Sequence, residues 1–180
     1  MNLLTFIFFM FLDKILYTFI WLYPKKFMNL INTENSYTSV NCMFYISIII
    51  KIIQFVVLIY YLYIHFPYFN KLDIINKKFL IVGFFTLFVG QYLNYNVYRQ
   101  LKKKGVYYGT KFGLNIPWCY EFPYNISWLK HPQYIGNILT FISIYFIFKS
   151  FFYTKLFVLE TILIINIIKE IYMMFLESYL

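Results

Sequence analysis

A chain of 180 residues that is 62% hydrophobic and 26% aromatic, with only 13% charged residues, cannot hide its apolar surface in a soluble core, since ordinary soluble domains carry roughly 25% charge. The net charge of +9 favours anionic membrane leaflets but selects no substrate, and no nucleic-acid partner is expected. Two cysteines, Cys42 beside an apolar block and Cys119 in a polar loop, make neither a disulfide framework nor a cysteine metal site, and no metal is expected.

The first apolar block, Leu3 to Tyr23, is long enough to cross a bilayer, which takes about 20 residues, and it lacks the small-residue cleavage pattern of a removed signal. Its central Asp13 and Lys14 would be costly in mid-bilayer, so the block either spans or lies re-entrant at the interface. Pro24 with Lys25 and Lys26 ends it. Val40 to Ile64, Phe79 to Tyr98, Tyr134 to Phe152 and Leu156 to Phe175 read as four further spans. Pro67 with Lys71, Lys77 and Lys78 parts the first two of these, and Lys149 with Lys155 flanks the tight turn between the last two. Lys51 and Glu160 read as a snorkelling lysine and an interfacial acid. The expected fold is all-α and integral to the membrane, a bundle of four transmembrane helices plus the N-terminal segment, in one domain over residues 1–180.

Arg99 to Lys130 holds six of the 16 basic residues against one acid, Glu121, and by the positive-inside rule faces the cytosol. Alternation of the spans puts the C-terminal carboxylates on the same face. Within this interval Gly105, Gly109 and Gly113 fall four apart and, on a helix, would line one face for close approach of a backbone or ligand. His131 before Pro132 places an imidazole at the entrance of the next span. In the last span Asn166, Glu170 and Glu177, spaced by four and seven, form a polar stripe on an apolar helix.

GVYYGTKFG from Gly105, FPYNI from Phe122 and HPQYIGN from His131, followed by two apolar helices and a glutamate near the end, resemble the phosphatidylethanolamine N-methyltransferase family, in its small phospholipid methyltransferase branch. The resemblance covers the C-terminal half of the chain, and several motifs in register are more specific than any one. It implies an endoplasmic reticulum membrane enzyme that transfers methyl groups from S-adenosylmethionine to phosphatidylethanolamine or its mono- and dimethyl forms, yielding phosphatidylcholine. The family's Gly-x-Gly cofactor element matches Phe88, Val89 and Gly90, with Phe88 in place of the first glycine. Its Glu-Glu pair matches Glu170 and Ile171, with the second carboxylate missing.

Gly105, Gly109, Gly113, Asn125 and Tyr134 are expected beside the headgroup, and His131 is a candidate general base or a group that orients the headgroup phosphate. Tyr134 and Trp118 are candidates for cation–π contact with the headgroup or for an interfacial belt. Two other readings stay open. One is an isoprenylcysteine carboxyl methyltransferase, which shares the His-Pro-x-Tyr-x-Gly stretch but carries Arg where this chain has Lys130. The other is a non-catalytic membrane relative, suggested by the altered Phe88 and Ile171.

Overall fold

The computed structural model describes residues 1–65, 76–117, 119–151 and 156–179. Among these residues six helices follow one another: α1 (Leu3–Leu22), α2 (Pro24–Leu30), α3 (Ser36–His65), α4 (Lys77–Val106), α5 (Pro132–Phe151) and α6 (Leu156–Tyr179). Their starts are legible locally. The Asn2 side chain accepts from the Thr5 amide at 2.8 Å and caps α1, and Asn76 accepts from the Lys78 amide to open α4. Pro24 and Pro132 sit at first helical positions, where a missing N–H costs nothing. The turns expected around Lys71 and Lys155 lie outside the described residues.

Among the described residues four helices, α1, α3, α4 and α5, are long and apolar enough to cross a membrane. The N-terminal block is therefore one continuous helix of spanning length. The last helix has the length too, at 24 residues, but carries Glu160, Lys169, Glu170 and Glu177. The α4 helix runs eight residues past the expected Tyr98, so Arg99 and the lysine cluster ride on its last turns. It breaks once, at Lys102, whose φ of 53° and ψ of −172° are not helical. Beyond that break the lysine ammonium groups lie over aromatic rings, that of Lys103 4.0 Å from the centre of Phe44 and that of Lys104 4.5 Å from the centre of Tyr37.

The interior is layered. Reading along α1, Phe6 and Met10 belong to one apolar cluster, Asp13 and Lys14 follow, and Tyr17 and Ile20 belong to a second. On α6, Leu159, Ile162 and Ile165 lie in the first cluster, then come Lys169 and Glu170, then Met173 and Leu176 in the second. The second cluster also takes in Tyr107, Tyr108 and Phe112, so the segment between α4 and α5 is packed down onto the helix ends. We call this the loop end. The basic segment and the C-terminal carboxylates thus share one end of the bundle.

Between the two apolar clusters lies the charged layer that the sequence shows only as a cost. Lys14 Nζ stands 2.8 Å from Glu170 Oε2 and 3.7 Å from Asp13 Oδ2, and Lys169 Nζ is 3.7 Å from Asp13 Oδ1. Gln54 of α3 donates to Asp13 Oδ1 at 2.8 Å, which brings in a third helix. All five residues are buried. Charges that would be expensive facing lipid are turned inward and neutralise one another.

Removing one member of such a pair leaves an uncompensated buried charge, worth about 3–5 kcal/mol. Lys14→Met should lose that much in unfolding of the detergent-solubilised protein, and adding Glu170→Leu should restore most of it. A double variant no more stable than the single one would show that this pair does not hold α1 to α6.

Candidate active site

Two cavities meet between the helices. The outer one, about 280 Å³ at the loop end, is lined by Tyr17, Trp21, Tyr108, Tyr124, His131, Tyr134 and Glu177 among others. The inner one, about 200 Å³, is lined by the charged layer together with Lys51, Gln91, Asn137 and Thr140. Tyr17, Gln133 and Tyr134 belong to both linings, so they form the partition.

The outer cavity is organised around Glu177. Tyr108 donates to its Oε1 at 2.5 Å, and Tyr134 donates to the same oxygen. The other oxygen, Oε2, makes no hydrogen bond among the described residues and stays open as an acceptor. Burial first, and the nearby Glu177 charge next, hold the Tyr108 phenol well above the ordinary tyrosine range. Burial raises Tyr124 as well, with Cys119 and Glu177 adding to it. These phenols therefore remain neutral donors at physiological pH. His131 Nε2 lies 2.7 Å from Ser178 Oγ, which ties the start of α5 to the end of α6. The Trp21 indole N–H is buried with no acceptor among the described residues.

In the inner cavity Glu170 Oε2 accepts from Lys14 and, at 3.4 Å, from Asn137 of α5. The Lys14 ammonium also lies 5.3 Å from the centre of the Tyr134 ring, just under the partition. Seven residues of helix separate Glu170 from Glu177, about 10 Å along the axis. The polar stripe read from the sequence is present, and its two carboxylates serve different cavities.

Of the expected site residues, Tyr134, His131 and Gly105 line the outer cavity and Glu170 the inner one. The Phe88 ring is 69% exposed on the outside of α4, Val89 is half-buried, and Ile171 is exposed on the outer face of α6. None of these three, nor Gly90, lines either cavity. A side chain at Gly90 would meet the Gly136 carbonyl at 2.8 Å, so its structural role is to let α4 and α5 touch. The side chains of Asn94 and Asn137, 3.1 Å apart, and of Gln91 and Thr140, 2.9 Å apart, bind the same two helices.

The three spaced glycines do not share a helix face, because the helix ends at Val106. Gly109 lies in the following turn, its amide bonded to the Lys104 carbonyl at 2.8 Å, and Gly113 adopts a φ of 90° that favours glycine. Asn125 is exposed and away from both linings, and Trp118 lies outside the described residues. Lys51, read as snorkelling, instead lines the inner cavity. Tyr17, Trp21, Asp13 and Lys14 were missed as site residues because they come from a helix far away in sequence, with no motif of its own.

The fold and these linings define a multi-helix membrane protein with a polar chamber between its spans. The phospholipid methyltransferase family model matches residues 79–178, more than half of the chain, and the chain belongs to that family. It is 46% identical over 54 residues to phosphatidyl-N-methylethanolamine N-methyltransferase of Arabidopsis thaliana. That stretch is 30% of this chain and about a third, 32%, of the plant protein. No solved structure matches the chain.

Packing and cofactor roles for the 88–90 segment can be separated. Phe88→Ala should leave methyl-donor binding within about twofold, whereas Gly90→Leu should destabilise the fold by about 1–3 kcal/mol through overpacking against α5. Titration of the methyl donor and thermal unfolding of the two variants check this, and a selective loss of binding in Phe88→Ala would return the segment to the cofactor.

Proposed function

We propose that this chain transfers the methyl group of S-adenosylmethionine to the amine of phosphatidylethanolamine or its mono- and dimethyl derivatives, leading to phosphatidylcholine. The observation that carries the reading is that the matched family segment, residues 79–178, supplies α4, α5 and α6, and with them Tyr108, His131, Tyr134, Glu170 and Glu177 of the two cavities. The name of the plant relative supports an aminophospholipid acceptor.

The outer cavity fits the donor. Its open Glu177 oxygen and the rings of Tyr17, Tyr108 and Tyr134 suit a cationic centre, and the unpaired Trp21 N–H suits a polar acceptor on the same ligand. Bound S-adenosylmethionine supplies an electrophilic methyl carried on a sulfonium. The work left to the protein is to align the acceptor nitrogen in line with that methyl, exclude water and remove a proton from the ammonium. Aromatic walls serve the first two tasks. His131, at the edge of the cavity and beside Ser178, and Glu177, deeper in it, are the two groups of the outer lining placed to accept the proton.

Membranes from a host lacking phospholipid methylation, expressing this chain and given radiolabelled S-adenosylmethionine, should yield labelled phosphatidylcholine when supplied with the monomethyl or dimethyl lipid. Absence of label above empty membranes, with the protein shown to be inserted, would overturn the reading. We further propose residence in the endoplasmic reticulum membrane with loop 99–130 and the C-terminus facing the cytosol, supported by the six basic residues of that interval. In sealed, cytosol-side-out microsomes protease should cut at Lys102 to Lys104. Protection there that is lifted only by detergent would invert the topology.

A further inference from the structure

The inner cavity carries more positive than negative charge. Three lysines, Lys14, Lys51 and Lys169, face two carboxylates, Asp13 and Glu170. Lys14 is taken up by both carboxylates and Lys169 by Asp13. Lys51, midway along α3, has neither an ion pair nor a hydrogen bond among the described residues, and its side chain is exposed at the cavity wall. A cation left over beside paired carboxylates calls for an anionic group in a ligand.

On the side away from the loop end, the inner cavity adjoins a third space. Phe141 lines both. This slot, about 300 Å³ between α3, α5 and α6, is walled by aliphatic and aromatic side chains such as Leu62, Phe148 and Ile162. It opens sideways, because Phe55 and Ile59 in its lining are 63% and 50% exposed on the outer face of α3. Neither an ion nor a soluble metabolite has use for such an annex.

We infer that the inner cavity and this slot together form the acceptor lipid's site: Lys51 holds the headgroup phosphate, the Asp13 and Glu170 side faces the headgroup amine, and an acyl chain lies in the slot between α3, α5 and α6. The inference rests on the phospholipid reading above and names the site within it. Going from the loop end inward, the order is polar cavity and then apolar slot, which is the order of headgroup and chain for a lipid of the leaflet at the loop end. The headgroup amine reaches the junction of the two cavities beside Tyr17, Gln133 and Tyr134, where it meets the outer cavity. The occupant is a zwitterionic glycerophospholipid, whose separated charges match a lining with both signs, and lateral entry lets it arrive without leaving the bilayer.

The test uses a phosphatidylethanolamine with a photoreactive diazirine on one acyl chain, mixed into phosphatidylcholine vesicles holding the full chain, with adducts located by peptide mass spectrometry. Adducts should concentrate on the slot-facing residues of α3, α5 and α6. Lys51→Met should reduce them by roughly tenfold, the loss of one charge-assisted contact, while Lys51→Arg retains them. Leu62→Trp, which fills the slot, should reduce them without touching the charged layer. Adducts spread over the lipid-exposed faces at Phe84 and Phe85, indifferent to these variants, would overturn the inference. So would a Lys51→Met enzyme whose KM rises for the methyl donor and not for the lipid, because Lys51 would then hold the donor. Slot adducts without methyl transfer by the wild-type chain would sink the proposed reaction and leave the lipid site standing, and methyl transfer without slot adducts would do the reverse.

Discussion

The Lys14–Glu170 pair, 2.8 Å apart and buried, is the contact on which the remainder of the arrangement depends. Between membrane helices the lipid offers no hydrophobic drive, so association falls to close packing and to polar groups that cannot be satisfied in hydrocarbon. An ammonium on α1 and a carboxylate on α6 are strongly unfavourable apart and mutually compensating together. Asp13, Lys169 and Gln54 extend the same compensation to a second pair and a third helix. The chain's first helix is thereby bound to its last.

This constraint builds the chamber. With α1 drawn against α6, Tyr17 and Trp21 become walls of the outer cavity, opposite Tyr134 of α5 and Glu177 of α6. The α4–α5 contact at Gly90 and Gly136 does the complementary work, since close backbone approach lets Asn94 reach Asn137, and Asn137 in turn reaches Glu170. The segment after α4 closes the loop end, held by Lys111 over the Trp21 ring at 3.6 Å and by Ser36 donating to the Phe112 carbonyl. Polar groups within a membrane bundle have few places to go, and here they are gathered into one chamber with two compartments.

A chamber of this kind suits a reaction whose partners differ in solubility. The outer compartment adjoins the polar end of the bundle, while the inner compartment continues into an apolar slot open to lipid. Tyr134 sits at the junction, donating to Glu177 on one side and facing the Lys14 ammonium on the other. Its position two residues into α5 follows from Pro132, which starts that helix and sets the rotation of everything after it.

Much of this was open to reading along the chain. Long apolar blocks, proline starts and the HPQYIGN stretch are local signals, and helices in lipid must satisfy their backbone within the segment, so block length alone determines where spans lie. The seven-residue spacing that puts Glu170 and Glu177 on one stripe is likewise a property of the helix and needs no partner. What only the tertiary structure decided is how distant elements face one another. Asp13 and Lys14 looked like an obstacle to insertion because their counter-charges stand more than 150 residues away, at Lys169 and Glu170. Gly90 looked like a cofactor element because close approach serves a ligand and a neighbouring helix equally, and only the position of Gly136 distinguishes them. Lys51 looked like a snorkelling side chain, since a sequence records that a cation lies within an apolar block but not whether it faces lipid or a cavity shared by five helices. Local propensity and hydropathy are short-range quantities, whereas charge compensation and cavity lining are set by pairs of residues brought together across the fold.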